Sequence, residues 1–441
     1  MDANQLRLLV GDVVAQFRAD MAELDAVLAQ YDLEILPPPP PETLVSTTLE
    51  LQAALTDATI DTIRIADGVM LSGNFTLARP VRLVSNSGGI VTPNVSPALT
   101  INGDAVTVEG LIVESAPGAP TSDLMILTGT LTTLRGMIIR GNGQTKRGIA
   151  VNGVDTLIED CQILNICRTG QETQAVAGWN YTGLTMRGCV LQGGSTGFLS
   201  GGSSPTVPNH VPADVLFENC TFTRPLEWKA FAYACKTGLE IKSGKRFRVL
   251  NCTVENVWPQ GQTGYAFTFT PSQYGNSPET IIEDVLVEGC IIRNCGGGLN
   301  ALGYSQHQST LPTLVSRNIR FIGNTFELTR WGTDGISSAH GALMQLGGGG
   351  PAQMEWTGNT CTSTGDAFLR TTATVPTEMP AIEGFSFTGN TVYAGTYGVL
   401  LDGLNRGAGW ATAFPSGAMT GNTFTGAHSI FRTNFPNNVW G

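Results

Sequence analysis

Along most of the chain, apolar and polar positions alternate with a period of two. Val285-Leu286-Val287-Glu288 and Phe385-Ser386-Phe387-Thr388 carry the pattern. Residues two apart on a strand share a face, so such runs predict β-strands with one buried side. Glycines punctuate nearly every joint between runs, as strands separated by tight turns require.

The strands repeat around a short anchor. In order, the anchors are Glu109-Gly110-Leu111, Arg135-Gly136-Met137, Glu159-Asp160-Cys161, Arg187-Gly188-Cys189, Glu218-Asn219-Cys220, Leu250-Asn251-Cys252 and Glu288-Gly289-Cys290. Ile322-Gly323-Asn324, Thr357-Gly358-Asn359, Thr388-Gly389-Asn390 and Thr420-Gly421-Asn422 follow. Successive anchors lie 24 to 38 residues apart, a solenoid period. Helical repeats of that length need apolar residues at helical spacing, and these segments alternate instead.

Each repeat has room for three strands. One ends at the anchor (Val215-Leu216-Phe217-Glu218), one follows it (Thr221-Phe222) and one comes after a turn (Gly197-Phe198-Leu199, Ala266 to Phe269, Gly298 to Leu302, Leu343 to Leu346, Val399 to Leu401). Three strands per coil predict an all-β, three-sided tube of about eleven coils. With strands about 4.8 Å apart the ten steps give a rod of roughly 48 Å. Stacking buries a core that no coil could bury alone. Thr47-Thr48-Leu49-Glu50 reads as a capping box opening a helix from Leu49 to Leu55, and Thr62 to Ile65 as the strand after it. This helix is expected to close the tube's open end.

The first 36 residues follow another rule. Leu6, Val10, Val13, Phe17, Met21, Leu24, Leu28, Tyr31 and Ile35 are spaced three or four apart, the stripe of a coiled coil with one stutter. Five prolines, Pro37 to Pro41, come next and predict a stiff spacer. A stripe held away from its own domain needs another partner, so it is expected to self-associate; packing on its own β-domain is the alternative. The segment has seven Asp or Glu against two Arg, which suits a defined oligomer or a basic socket. The expected division is a helix over 1–36, a linker over 37–42 and a β-domain over 43–441.

Composition narrows the function. Charged residues make up 14% and there are 54 glycines; soluble domains average roughly 25% charged residues and about 7% glycine. Net charge is −11, and the one basic cluster, Lys242 to Arg248, is interrupted, which argues against nucleic acid. No apolar run is long enough to span a membrane, and no secretory signal is apparent. A protein made in a host cytoplasm and carried out on a virion fits this pattern.

Anchors and coils from about residue 43 to 441 resemble the pectate-lyase-like superfamily, whose fold is a right-handed parallel β-helix. Phe222-Thr223-Arg224-Pro225-Leu226-Glu227-Trp228-Lys229 with Gly238 to Lys242, and Gly261 to Pro271, resemble a bacterial group of β-helix proteins that brings no catalytic assignment. Helical stalk, linker and β-helix together are similar to phage tailspikes and tail fibres. That resemblance implies a homotrimer, joined to a tail or capsid protein through the N-terminal helix and exposing its β-helix to cell-surface polysaccharide. Tailspikes often carry a further C-terminal domain, which is not apparent here. A polysaccharide lyase or hydrolase, and a capsid or tail decoration without enzymatic activity, are the alternatives.

Candidate chemistry is sparse. Cys161, Cys189, Cys220, Cys252 and Cys290 share one slot, which predicts a row of buried free thiols rather than converging metal ligands. Asn324 and its successors predict a hydrogen-bonded ladder in that slot. No metal or other cofactor is expected. Acid–base cleavage needs two facing carboxylates; Glu227 with Glu240 on adjacent coils, and Glu327 with Asp334 or Asp366, are the candidate pairs, against a reading as solvated faces or salt bridges. Trp228 and Trp331 are candidates for stacking on a sugar, or for lateral packing. Insertions at 202–213, 271–279, 304–316, 347–352, 373–380 and 403–417 are expected to line one corner, bringing His210, Tyr274, Tyr304, His307, Arg406 and Trp410 into one strip. That strip either binds carbohydrate or a protein partner, or simply tolerates length or packs against neighbouring subunits.

Overall fold

The computed structural model describes Gln16 and residues 42–441, except 87, 94–95, 273–276, 306–312, 330, 332–340, 348, 366, 373–380, 402–408 and 428. The chain divides into two units, Met1–Pro41 and Glu42–Gly441. The coiled-coil stripe and the proline run belong to the first unit and lie outside the described residues, as do Tyr274, His307, Asp334, Asp366 and Arg406.

The second unit is built from three parallel sheets, visited in turn by each coil. Among the described residues the first has 14 strands, from Glu42–Val45 to Ala418–Thr420; the second has 14, from Met70–Ser72 to Val439–Trp440; the third has 12, from Phe75–Leu77 to Gly398–Leu400. Each strand pairs in parallel with its counterpart one coil away, as Val215 with Phe247 and then Val285. Alternation sets which side chains turn inward: in Ala213–Glu218, Ala213, Val215 and Phe217 are buried. Phe321, Trp356 and Phe387 occupy one register, and the first two stack at 4.2 Å between centroids.

The anchors are turns from the first sheet to the second. Their middle residue has a left-handed backbone at Gly110, Gly136, Asp160, Gly188, Asn219, Asn251, Gly289, Gly323, Gly358, Gly389 and Gly421, with φ between 52° and 69°. Glycine, asparagine and aspartate tolerate that conformation best. The tube also runs further toward the N-terminus than the eleven anchors. Its first coils make the same corner with longer turns, such as 66–69, whose Val69 N–H donates to Ala66 O at 3.3 Å, so they lack the short signature.

The residue after the turn points inward. All nine cysteines are free and buried, and five of them form the row. Asn324 Nδ2 donates to Asn359 Oδ1 at 2.9 Å, Asn359 to Asn390 at 2.9 Å, Asn390 to Asn422 at 3.0 Å and Asn422 to Asn438 at 2.8 Å. Each Oδ1 also accepts the backbone N–H of the preceding coil, beginning with Cys290 N to Asn324 Oδ1 at 2.9 Å. The ladder thus ends on Asn438, beyond the last anchor.

The N-terminal cap is a helix over Thr48–Thr56, with Thr47 Oγ1 accepting from Glu50 N at 3.2 Å and Glu50 Oε2 accepting from Thr47 N at 3.1 Å. Its Leu51, Ala54 and Leu55 are buried against the tube.

Candidate binding site

A groove of about 650 Å³ lies on the outer face of the third sheet. Its floor is one register row: Glu240 pairs with Thr268, Thr268 with Asn300 and Asn300 with Gln345. Three parallel strands and a fourth therefore bring residues 105 positions apart in sequence into one line of outward side chains. Gln260 to Thr263 form one rim, and Thr270, Pro271, Ser272 and Ser305 contribute to the other.

Glu240 is buried in this floor, 2% exposed. Its Oε1 lies 3.3 Å from Lys242 Nζ, and its Oε2 accepts from Thr196 Oγ1 at 3.4 Å. Tyr265 Oη donates to Gln345 Oε1 at 3.2 Å, and Gln345 Nε2 donates to Asn300 Oδ1 at 3.3 Å. Burial pushes the Tyr265 phenol up to about 12, so near neutral pH it remains a donor. The Tyr265 ring passes close over Gly297, where a Cβ would lie 2.3 Å from it.

Among the described lining residues Glu240 is the one carboxylate and Lys242 the one cation, and these two neutralise each other. The rest are mainly amides and hydroxyls. Such a surface offers donors and acceptors to a hydroxyl-rich ligand. Among the described lining residues it does not provide the facing pair of carboxylates that acid–base glycoside cleavage uses.

The sequence candidates scatter around this groove. Glu227 and Glu240 belong to one coil, not to adjacent coils: its strands are Ala213–Glu218, Thr221–Phe222 and Thr237–Ile241, and Glu227 sits in the short helix Leu226–Ala230 between the last two. Glu227 is exposed on that helix and is not among the groove's lining residues. Glu327 is exposed on the second sheet. Trp228 and Trp331 are each 7% exposed. Trp228 packs edge-on against Tyr233 at 5.5 Å and Trp331 against Trp258 at 6.4 Å, with Lys229 Nζ 4.4 Å from the Trp331 ring.

His210, Tyr304 and Trp410 do lie between third-sheet strands and the next coil's first-sheet strands. His210 Nε2 is 3.1 Å from Tyr181 O, and Trp410 stacks on Phe414 at 4.2 Å. Insertions nevertheless occupy a second corner as well, between second and third sheets, at 223–236 and 258–264. The groove lies between the two corners. Sequence reading missed the second corner because Leu226, Trp228, Phe231 and Tyr233 look like strand material.

The family model described as "Right handed beta helix region" matches residues 147–378, more than half of the chain. The chain belongs to the right-handed β-helix family. No curated protein matches it. Among solved structures, this β-helix is similar to the tailspike gp61 of Pseudomonas phage phi297, at 10% identity over 80% of this chain and 74% of that one, with a TM-score of 0.50. The Dettilon tailspike gp208 aligns at 12% identity over 80% of this chain, with a TM-score of 0.43, and this chain spans 64% of its length. The pectate lyase Pel9A aligns at 11% identity, 74% of this chain, 71% of that chain and a TM-score of 0.37. What gp61 shares with this β-helix is its fold.

Proposed function

We propose that this β-helix is the body of a virion-borne spike or fibre that attaches to cell-surface polysaccharide through the third-sheet groove. The observation that carries the reading is the floor row Glu240, Thr268, Asn300 and Gln345, flanked by loops from both corners. A line of amides and hydroxyls suits a polymer that presents hydroxyls at regular intervals. The loops holding His210 and Tyr304, together with Tyr274, His307, Arg406 and Trp410, supply flanking contacts in this reading. Purified bacterial surface polysaccharides, tested by co-sedimentation, should include at least one that binds. Asn300→Ala and Glu240→Gln should each lower its affinity about tenfold, as losing one hydrogen bond to a buried group does. Retention of full affinity by both variants would remove the groove from the reading.

The assembly half of the proposal rests on the stripe Leu6, Val10, Val13, Phe17, Met21, Leu24, Leu28 and Tyr31. It would form a homotrimer and dock on a tail or capsid protein. Light scattering should then give three times the chain mass of 46.6 kDa, and deletion of residues 1–36 should leave folded monomers. A monomeric full-length chain would count against it.

Cleavage of the bound polymer is the second reading, favoured by the Glu240–Lys242 pair seated in the groove. Glu227 and Asp334 stand as the other candidate carboxylates. New reducing ends or unsaturated products should then appear on incubation, and Glu240→Gln should stop their release while the polymer still binds.

A further inference from the structure

The corner between the second and third sheets carries an aromatic feature outside the groove. In the loop 223–236, Trp228 is buried and Tyr233 half-buried, and the two pack edge to face. Phe231 lies flat against Tyr233, with centroids 5.3 Å apart and planes 21° apart, yet it is 49% exposed. Tyr233 covers part of the Phe231 ring, and the remainder meets solvent.

This pair is fixed in place. Tyr233 N donates to Phe231 O at 3.0 Å, and Ser195 Oγ of the preceding coil donates to Tyr233 O at 3.2 Å. The Gln260 side chain clamps the loop from the following coil: its Nε2 donates to Phe231 O at 2.8 Å and its Oε1 accepts from Cys235 N at 3.3 Å. Gln260 is also a rim residue of the groove. Next to it, a Cβ on Gly261 would stand 2.5 Å from Ala234 O, so the two loops are in close contact. The loop that carries this aromatic face is thus joined through Gln260 to the rim of the groove.

We propose that Phe231, backed by Tyr233, is a stacking platform for one pyranose ring of a glycan whose neighbouring units occupy the groove. The inference rests on the reading of the groove as a glycan site. A pyranose presents a face of C–H bonds and a rim of hydroxyls. An aromatic ring covers that face, while amides and hydroxyls satisfy the rim. Because the Phe231 ring is already packed on Tyr233 and its loop is clamped, little conformational freedom remains to be lost on binding.

The test uses the full-length protein on an array of purified bacterial surface polysaccharides, neutral and acidic, followed by titration of the tightest binder. Phe231→Ala should weaken binding about tenfold, the scale of one lost aromatic contact. Phe231→Tyr should retain affinity, and both variants should melt within a few degrees of the parent. If Asn300→Ala weakens binding and Phe231→Ala does not, the platform is refuted and the groove stands. Loss of the parent's solution mass in Phe231→Ala, with affinity per chain unchanged, would make the ring a subunit contact and overturn the proposal. Binding to none of the polysaccharides would overturn platform and groove together.

Discussion

At the scale of the residue, one slot explains most of the sequence signature. The turn from first to second sheet requires a left-handed backbone at its middle residue, and that restricts the choice to glycine, asparagine or aspartate. The next side chain then enters the interior, which holds Leu111 and Met137 in the first two of these coils, then thiols, then mutually bonded amides. Asn390 illustrates the second solution: Nδ2 reaches Asn422 Oδ1 and Trp356 O, and Oδ1 accepts from Asn359 Nδ2 and N. Asn390→Ala should cost on the order of 2 kcal/mol in urea unfolding, since it leaves several of these buried groups unpartnered. Arg224 is the less obvious case. It is 1% exposed and donates to Gly194 O at 3.0 Å, Ser195 O at 2.9 Å and Thr237 O at 2.5 Å. Arg224→Met should lower stability by about 3 kcal/mol by removing three buried hydrogen bonds at once, although Ser195 O keeps its bonds from Lys236 N and Thr237 N. The slot was legible in the sequence because backbone geometry limits residue identity. Arg224 was not, because its partners are backbone atoms brought in from other segments of the fold.

At the scale of the element, buried thiols such as Cys167, Cys252 and Cys361 make the tube sensitive to alkali. Burial pushes Cys167 up to about 11 and Cys361 up to about 12. Cys252 reaches about 12: its hydrogen bond with Cys220 lowers it, while that with Cys290 and burial raise it and prevail. An unfolded thiol ionises near about 8.5. The folded chain therefore keeps protons that the unfolded chain releases. The associated stability is fully present below about pH 8.5 and is lost as pH climbs toward about 12. The urea midpoint should fall between about pH 8 and about pH 10.5, and Cys361→Ser should reduce that slope; a flat midpoint over the range would contradict the thiol assignment. Strands and the capping helix were readable from alternation and from the capping box at Thr47 and Glu50. The corner loops were only half readable, since apolar Trp228 and Phe231 imitate a strand when neighbouring coils cannot be seen. Gly297 belongs here too. Gly297→Ala would drive a Cβ against the Tyr265 ring, at a cost of about 1–3 kcal/mol, and should displace the Tyr265–Gln345 hydrogen bond, seen as weaker polysaccharide binding and a lower melting temperature.

At the scale of the whole β-helix, the groove is a product of stacking. Glu240, Thr268, Asn300 and Gln345 have no local motif in common, and intervals of 28, 32 and 45 residues separate them. Only the register of four coils aligns them. The sequence therefore announced the scaffold and concealed the site: among the described candidates, the carboxylate Glu240 lies in the floor, while His210, Trp228, Tyr304, Trp331 and Trp410 do not. The same stacking has a mechanical side. Backbone hydrogen bonds between coils run along the rod, so a pull on its two ends loads the coil interfaces in series and the weakest one sets the breaking force. From Asn324 to Asn438 each interface carries side-chain amide bonds in addition to those of the backbone. A rod built this way is reinforced toward its C-terminal end, and under tension the first coils to part should lie on the cysteine side of Asn324.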